Sequence, residues 1–344
     1  MSRVELGSAG TSGACNRRQA ARWAVAAALF GFLTAYASMR GPDRPGDFFA
    51  WYTAAGAVLD GKSPYDVIPA VDPERFSTNF LYPLPAAMLT VPFARLPYPI
   101  AGGLFVAIAA GLLAYGVSRE GQEKLWLFFG APFIVSASSG TWSLPIAAAA
   151  VVPALGFLAV AKPNVGVSTF LYRPTWWIPI GSAVLVAGSL MLEPAWPREW
   201  IRGLGGVQNR VTPILTPVGP LLLLALTRWR RPEARLLLGY ACVPQAPWFY
   251  DQLVLGLIPA TSRQALHYTV VTQLSLAIWI FAQGLMWQHG AWFLAAVLYL
   301  PPLIMILQRP NEGEIGAWAG HLMARVVPAR WGGVSEPSGA RRDA

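Results

Sequence analysis

Four charged side chains sit where a largely apolar chain can least accommodate them. Asp47 lies in Gly46-Asp47-Phe48-Phe49-Ala50-Trp51-Tyr52, just beyond the first long apolar run. Lys162 interrupts a later apolar stretch in Ala161-Lys162-Pro163-Asn164. Asp251, in Pro247-Trp248-Phe249-Tyr250-Asp251-Gln252, has apolar segments close on both sides. Arg210 closes Gln208-Asn209-Arg210 in a polar connection. A charge at such depth is costly unless it has a task or a partner. The types suit transfer chemistry. A carboxylate within reach of a hydroxyl can take its proton, and a cation can stabilise charge developing on a leaving group. Tyr52, Tyr65, Tyr82 and Trp248 are the aromatic candidates for lining a substrate, and Asp251 is a further candidate for contacting it.

Each residue has a plainer reading. Asp47 also suits a helix N-cap or an acid favoured by the helix dipole. Lys162 suits a lysine snorkelling to an interface, and Arg210 a solvated loop arginine. Asp251 suits a carboxylate paired with a buried Arg or Lys. The aromatics suit interfacial anchors. Spacing alone does not choose between these readings.

Composition narrows the setting. Of 344 residues 55% are apolar and 12% are charged, against about 25% charged in soluble domains. Mean hydropathy is +0.44. This predicts an all-α polytopic membrane protein with no sizeable soluble domain. The net charge of +9 reads as topology, because its basic residues sit in short connections and tails. Nucleic-acid binding is excluded, since no basic surface with interleaved aromatics exists. Cys15 and Cys242 make no framework, and His267, His289 and His321 are scattered, so no metal site is expected.

Residues 1–19 read as a cytoplasmic tail and 20–39 as the first span, preceded by Arg17 and Arg18. Residues 40–82 form a long outer loop rich in Asp, holding a short helix over 47–59 that ends at Gly61. Apolar segments follow at 80–96, 100–117, 125–139, 141–160, 165–172 and 175–192. Residues 193–212 read as a second outer loop with an amphipathic helix. Residues 213–227 return to Arg228-Trp229-Arg230-Arg231, a cytoplasmic marker. Segments at 236–248, 252–259, 267–287 and 290–307 complete the membrane domain, 20–307, the last two hinging at Gln288-His289-Gly290. A polar cytoplasmic tail, 308–344, closes the chain, with one amphipathic stretch at 314–327. The count is roughly 10 to 12 spanning or half-spanning helices. An even number puts both termini inside the plasma membrane. Broken helices beside Lys162 and Asp251 imply a cavity, because irregular backbone at membrane depth must be covered by protein or line water.

Several short motifs are shared with a known family. Gly46-Asp47-Phe48-x-x-x-Tyr52-x-Ala54-Ala55, Leu59-x-Gly61-x-x-Pro64-Tyr65-Asp66, Tyr82-Pro83-x-Pro85, Phe93-x-x-Leu96-Pro97 and Ala161-Lys162-Pro163-Asn164 resemble glycosyltransferase family 87. These are bacterial integral-membrane enzymes of the GT-C class. The likeness is densest over 46–97, patchy to 164 and weak beyond. It implies transfer of a hexose, often mannose, from a polyprenyl-phosphate donor to an acceptor hydroxyl with inversion, on the outer face and with no cofactor. The acceptor is a glycolipid, a polysaccharide or a protein. Asp47 matches the catalytic base, Lys162 and Arg210 the candidates for the donor phosphate. The family's later aromatic motif carries a histidine that the 247–252 stretch lacks. Two other readings stay open: a lipid or polyprenyl-sugar transporter, and a non-catalytic subunit of the same fold.

Overall fold

The computed structural model describes residues 16–41, 46–68, 80–205, 211–245 and 249–312, with backbone alone at 283–291. Helix makes up 79% and no strand occurs among the described residues, so the fold is all-α. Among the described residues the extended pairing is one antiparallel bridge, Val211 with Gln245.

Two antiparallel helices form the frame, α1 (Arg17–Met39) and α5 (Tyr98–Glu120). Asn16 caps α1 by accepting from the Gln19 N–H at 2.9 Å. Small residues let the two backbones approach. A Cβ on Gly31 would stand 3.1 Å from both Ala110 and Val106, and one on Gly111 3.2 Å from the Ala24 carbonyl. Such contacts replace a hydrophobic drive where the surroundings are as apolar as the side chains.

Between α1 and α5 the chain forms α2 (Phe48–Leu59), α3 (Pro64–Val67) and α4 (Leu84–Thr90). Gly61 follows α2 at φ 68°, the left-handed geometry expected of its stop. The expected segment 125–139 is instead a 3-10 stretch, Gln122–Phe129, and α6 (Ala131–Ser139), broken at Gly130. Likewise 141–160 divides into α7 (Ser143–Val151) and the 3-10 stretch Pro153–Ala161. Then come α8 (Pro163–Tyr172), α9 (Trp177–Leu192) and α10 (Trp196–Leu204), with α9 and α10 meeting at 104°. After α11 (Gly219–Leu222) and α12 (Pro232–Ala241), the 3-10 stretch Tyr250–Leu257 leads to α13 (Ser262–Phe281) and α14 (Gln283–Leu307). The break between the last two falls at Ala282, not at Gln288–Gly290, which lies inside α14.

α1 and α5 are each long and apolar enough to cross a membrane, and the bent α9–α10 pair makes a third if it is one span. The remaining described segments are shorter, several of them broken at Gly or Pro, or less apolar, as α13 is with Arg263, Gln264, His267 and Gln273; the expected 10 to 12 crossings are not seen as full-length helices. Large apolar side chains face outward: Leu29 and Leu33 on α1, Ile108 on α5, Val184 on α9 and Leu274 on α13 are all more than half exposed.

Charge separates along the frame. Where α5 and α8 end, α12 begins and α14 ends, Glu120 meets Lys124 at 2.6 Å and Arg173 at 2.8 Å, and Glu233 meets Arg309 at 3.2 Å. The opposite end gathers Asp47, Asp60, Asp66, Glu193 and Glu199, with Asp60 bound to Arg95 and Ser63 donating to Glu199 at 3.4 Å. The 1–15 and 313–344 tails, including the 314–327 stretch, and much of the first outer loop lie outside the described residues.

Close packing of α1 on α5 gives a direct prediction. Gly31→Leu forces its side chain into Ala110 and Val106 and lowers stability by about 1–3 kcal/mol through overpacking. Gly56→Ala, on α2 with nothing within 4 Å of the new Cβ, leaves stability unchanged or raises it by up to about 1 kcal/mol. Melting of both variants in detergent distinguishes them.

Candidate functional site

Lys162 sits at a break that its own sequence imposes. The following proline excludes the helical region for its backbone, which is extended at φ −144° and ψ 82°. Pro163 then opens α8, where its missing N–H costs nothing. The side chain is 4% exposed and runs inward to the carboxylate of Asp251, which is fully buried. The ammonium also donates to Ser143 Oγ at 3.3 Å and stands 4.8 Å from the centre of the Tyr250 ring. Ser143 in turn donates to Asp251 Oδ1 at 2.7 Å. The charge on each partner is therefore met by the other, and a hydroxyl and a π face supply the rest.

The backbone around Asp251 is held from several directions. Tyr240 donates to the Asp251 carbonyl, and Ser136 to the Tyr250 carbonyl at 3.2 Å. Gln252 donates to Gln245 Oε1 at 2.8 Å, and Tyr299 donates to the same oxygen. Phe249, which leads into this segment, has φ 67°, a left-handed conformation that costs a non-glycine residue about 1–3 kcal/mol. Its ring is buried against Trp279, so packing holds the strained turn.

Lys162 also lines a cavity of about 420 Å³. The other walls are Leu81, Tyr82 and Pro83 before α4, Pro163 and Asn164 at the start of α8, Trp200 and Leu204 on α10, and Pro244. Trp200 Nε1 donates to the Leu81 carbonyl at 2.9 Å, and Asn164 donates to the Pro244 carbonyl at 2.8 Å. A second, almost wholly apolar groove of about 230 Å³ lies between α4, α5 and α7 and includes Trp142. Trp142 directly precedes Ser143 in the chain. Trp51 connects the two spaces: its ring meets Tyr82 edge-on at 4.7 Å and Trp142 at 6.5 Å.

The other expected site residues fall into separate places. Asp47 lies at the start of α2 and makes no side-chain cap bond to that helix. It is not among the cavity walls. Its position is fixed by Gly46, where a Cβ would come 2.7 Å from the Ser139 carbonyl. Gly140, at φ 63°, forms that tight turn beside Met39 and Phe48, where only glycine fits both the angle and the space. Asp47 and Ser143 thus flank one turn, residues 139–143, at the same end of the molecule. Asp47 stands one helical turn before Trp51 on the same face.

Tyr52 donates to the Leu96 carbonyl at 2.8 Å, bracing the turn before α5, and Tyr65 donates to the carbonyl of the cavity-lining Tyr82 at 2.9 Å. Burial pushes the Tyr65 phenol up, with Glu193 and Glu199 adding to it. Arg210 and Trp248 lie outside the described residues. Among the described residues no group of His, Cys, Asp and Glu side chains could hold a metal ion. Ser143, Asn164 and Trp200 are site residues that sequence reasoning did not assign. A serine in the apolar 141–160 run was the available signal for the first. No family model matches the chain, and neither the curated proteins nor the solved structures contain a match to it.

The buried pair makes a stability prediction. Lys162→Met or Asp251→Leu alone strands the opposite charge and costs about 3–5 kcal/mol. The double variant loses much less than the sum. A double-mutant cycle on unfolding in bicelles should give a large favourable coupling; additive losses would show that the pair does not act as a unit.

Proposed function

We propose that this chain is a polytopic membrane glycosyltransferase of the GT-C type. It moves a hexose, with mannose favoured, from a polyprenyl-phosphate donor to a hydroxyl of a glycolipid or glycan acceptor. One observation carries the reading. Tyr82-Pro83 and Lys162-Pro163-Asn164, two motif pieces far apart in sequence, form walls of the same cavity. The apolar groove beside Trp142 supplies a place for the prenyl chain, opening at exposed Ile108. The outward apolar side chains fit a lipid setting. The basic end, where α1 begins and α14 ends, is the cytoplasmic one by the positive-inside rule, so both termini are cytoplasmic and the cavity faces out.

In this reaction the acceptor oxygen attacks the anomeric carbon of the sugar. The bond from that carbon to the phosphate oxygen breaks, and configuration inverts. The hydroxyl proton passes to the Asp47 carboxylate, and the polyprenyl phosphate departs as an anion. Lys162 is the cation on the cavity wall among the described residues, and the N–H facing the Tyr250 ring is the one it would turn to that phosphate. For Asp47 to reach the acceptor, the acceptor must enter along the Trp51 face of α2 rather than through the cavity alone.

A second reading has its own support. A lysine–aspartate pair buried beside a cavity, among broken helices, is also the equipment of an ion- or proton-coupled carrier of lipid-linked sugar. A non-catalytic subunit of the same fold is favoured by the position of Asp47 off the cavity wall.

Purified protein in nanodiscs with polyprenyl-phosphate mannose or glucose and a lipid extract separates these readings. Wild type should transfer the sugar. Asp47→Asn should lower turnover by at least about 100-fold, the scale of lost base catalysis. Equal transfer by both removes Asp47 as the base. Donor movement across liposomes without transfer selects the carrier.

A further inference from the structure

Two buried donors near the cavity have no acceptor. The Nε1 atoms of Trp51 and Trp142 are enclosed, and neither has a hydrogen-bond partner among the described residues. Trp51 is fully buried and Trp142 is 2% exposed. Native interiors leave few such groups, because an N–H shut away from water without an acceptor is costly. Trp200, on the cavity wall, shows the usual outcome: its Nε1 donates to the Leu81 carbonyl. Trp196 Nε1 and Gln252 Oε1 are also unpartnered. Trp51 and Trp142 differ from these in being two such donors on adjoining rings, 6.5 Å apart.

Their location gives them a use. Trp142 is a wall of the apolar groove and meets Phe105, another wall, edge-on at 5.2 Å. Among the groove's walls Trp142 is the one side chain that carries a polar atom. Trp51 lies on the other side of Trp142 and meets Tyr82, a wall of the Lys162 cavity, at 4.7 Å. The two indoles thus stand between an apolar space of about 230 Å³ and a space of about 420 Å³ that holds an ammonium. The turn that places Trp142 is the one that Gly46 and Gly140 bring against α2. Ser143, the next residue, bonds both members of the ion pair.

We propose that Trp51 and Trp142 form a recognising partition in one elongated site, which takes a single-chain prenyl or alkyl phosphate ester lying across both spaces. The chain occupies the groove, the head meets Lys162, and the two indole N–H groups turn to the phosphate and ester oxygens at the junction. Both N–H groups are enclosed, so the rings turn as the junction enters. Each end selects its part of the ligand. The groove offers apolar walls, the partition offers donors, and the cavity offers a cation that favours an anionic head. The groove is also smaller than the roughly 300–1,000 Å³ of whole-ligand pockets, which suits part of one chain rather than two. The direction of head and tail rests on the transferase reading above; the unpartnered donors do not.

Indole nitrogen NMR of the full chain in phosphatidylcholine nanodiscs tests this. Trp51→Phe and Trp142→Phe each remove one indole signal and so assign the pair. Titration with geranyl phosphate should move both signals downfield, as an N–H does on gaining an anionic acceptor, and leave Trp229 at the basic end unmoved. Inorganic phosphate, which lacks the chain, and phosphatidic acid, which has two, should move neither. Each Phe variant should bind geranyl phosphate about tenfold more weakly, the scale of one hydrogen bond to a charged group, while Trp229→Phe binds as wild type does. Should either variant fail to fold, the wild-type spectrum decides, through movement of two of its fifteen indole signals or of none. No binding, binding with both signals unmoved, or an equal response to phosphatidic acid would overturn the proposal. Both signals moving without sugar transfer would remove the transferase reading and leave this one; transfer with both signals still would do the reverse.

Discussion

The ion pair between Lys162 and Asp251 is the constraint on which the interior of this protein depends. The partners lie 89 residues apart, one at a junction between helices and the other in a short 3-10 turn. Lys162 joins the 3-10 stretch Pro153–Ala161 to α8, and Asp251 lies in the 3-10 stretch Tyr250–Leu257. Burying two charges costs several kcal/mol per ion even after relaxation, and mutual attraction offsets this only with good geometry and further hydrogen bonds. Here Ser143, the Tyr250 ring, and the Tyr240 and Ser136 hydroxyls on the adjacent backbone meet those needs. Four elements are therefore fixed relative to each other by one pair. The strained turn at Phe249 persists because those same contacts determine where Tyr250 and Asp251 must be.

The frame works by a different principle. α1 and α5 pack through glycine and alanine, with the backbones close and large apolar side chains turned outward. The contact itself is made largely by small apolar residues, and the irregular segments pack at its side. The irregular segments then supply what a regular helix cannot: a lysine at a break, a serine at the start of α7, and a cavity bounded by prolines. Polar function and structural regularity are divided between the two halves of the architecture.

Much of this was legible in the sequence. The first apolar helix, the short α2 helix with its glycine stop, the amphipathic α10 after the 175–192 segment, and the charge difference between the two ends all follow from hydropathy, Gly and Pro placement and the Arg clusters. So did the alternative that Asp251 pairs with a buried base, although not that the base is Lys162, since the pairing joins distant segments. Ser143 was not singled out because one serine in an apolar run has many uses. Helix lengths were overread: hydropathy windows spanning 125–139 and 141–160 do not register that Gly130 and Val152 interrupt them. Asp47 was read from a local motif, and a motif carries no information on which wall of a cavity its residue reaches.

The pairing also alters what Lys162 can do for an anion. A lone ammonium acts as a monopole, and its attraction falls slowly with distance in a low-dielectric setting. With Asp251 bound, the same ammonium is one end of a dipole, and its field at the cavity falls faster. An anionic group would have to come within hydrogen-bond distance of the nitrogen to gain from it. On the proposed transferase reading, this would favour a donor whose charge is small and localised over one with several diffuse charges. It also means that removing Asp251 does not merely destabilise the fold. It converts a directional hydrogen-bond donor into an uncompensated charge, which would bind anions more strongly and less selectively. On the proposed reading the aspartate would then shape what the cavity accepts as much as the lysine that lines it.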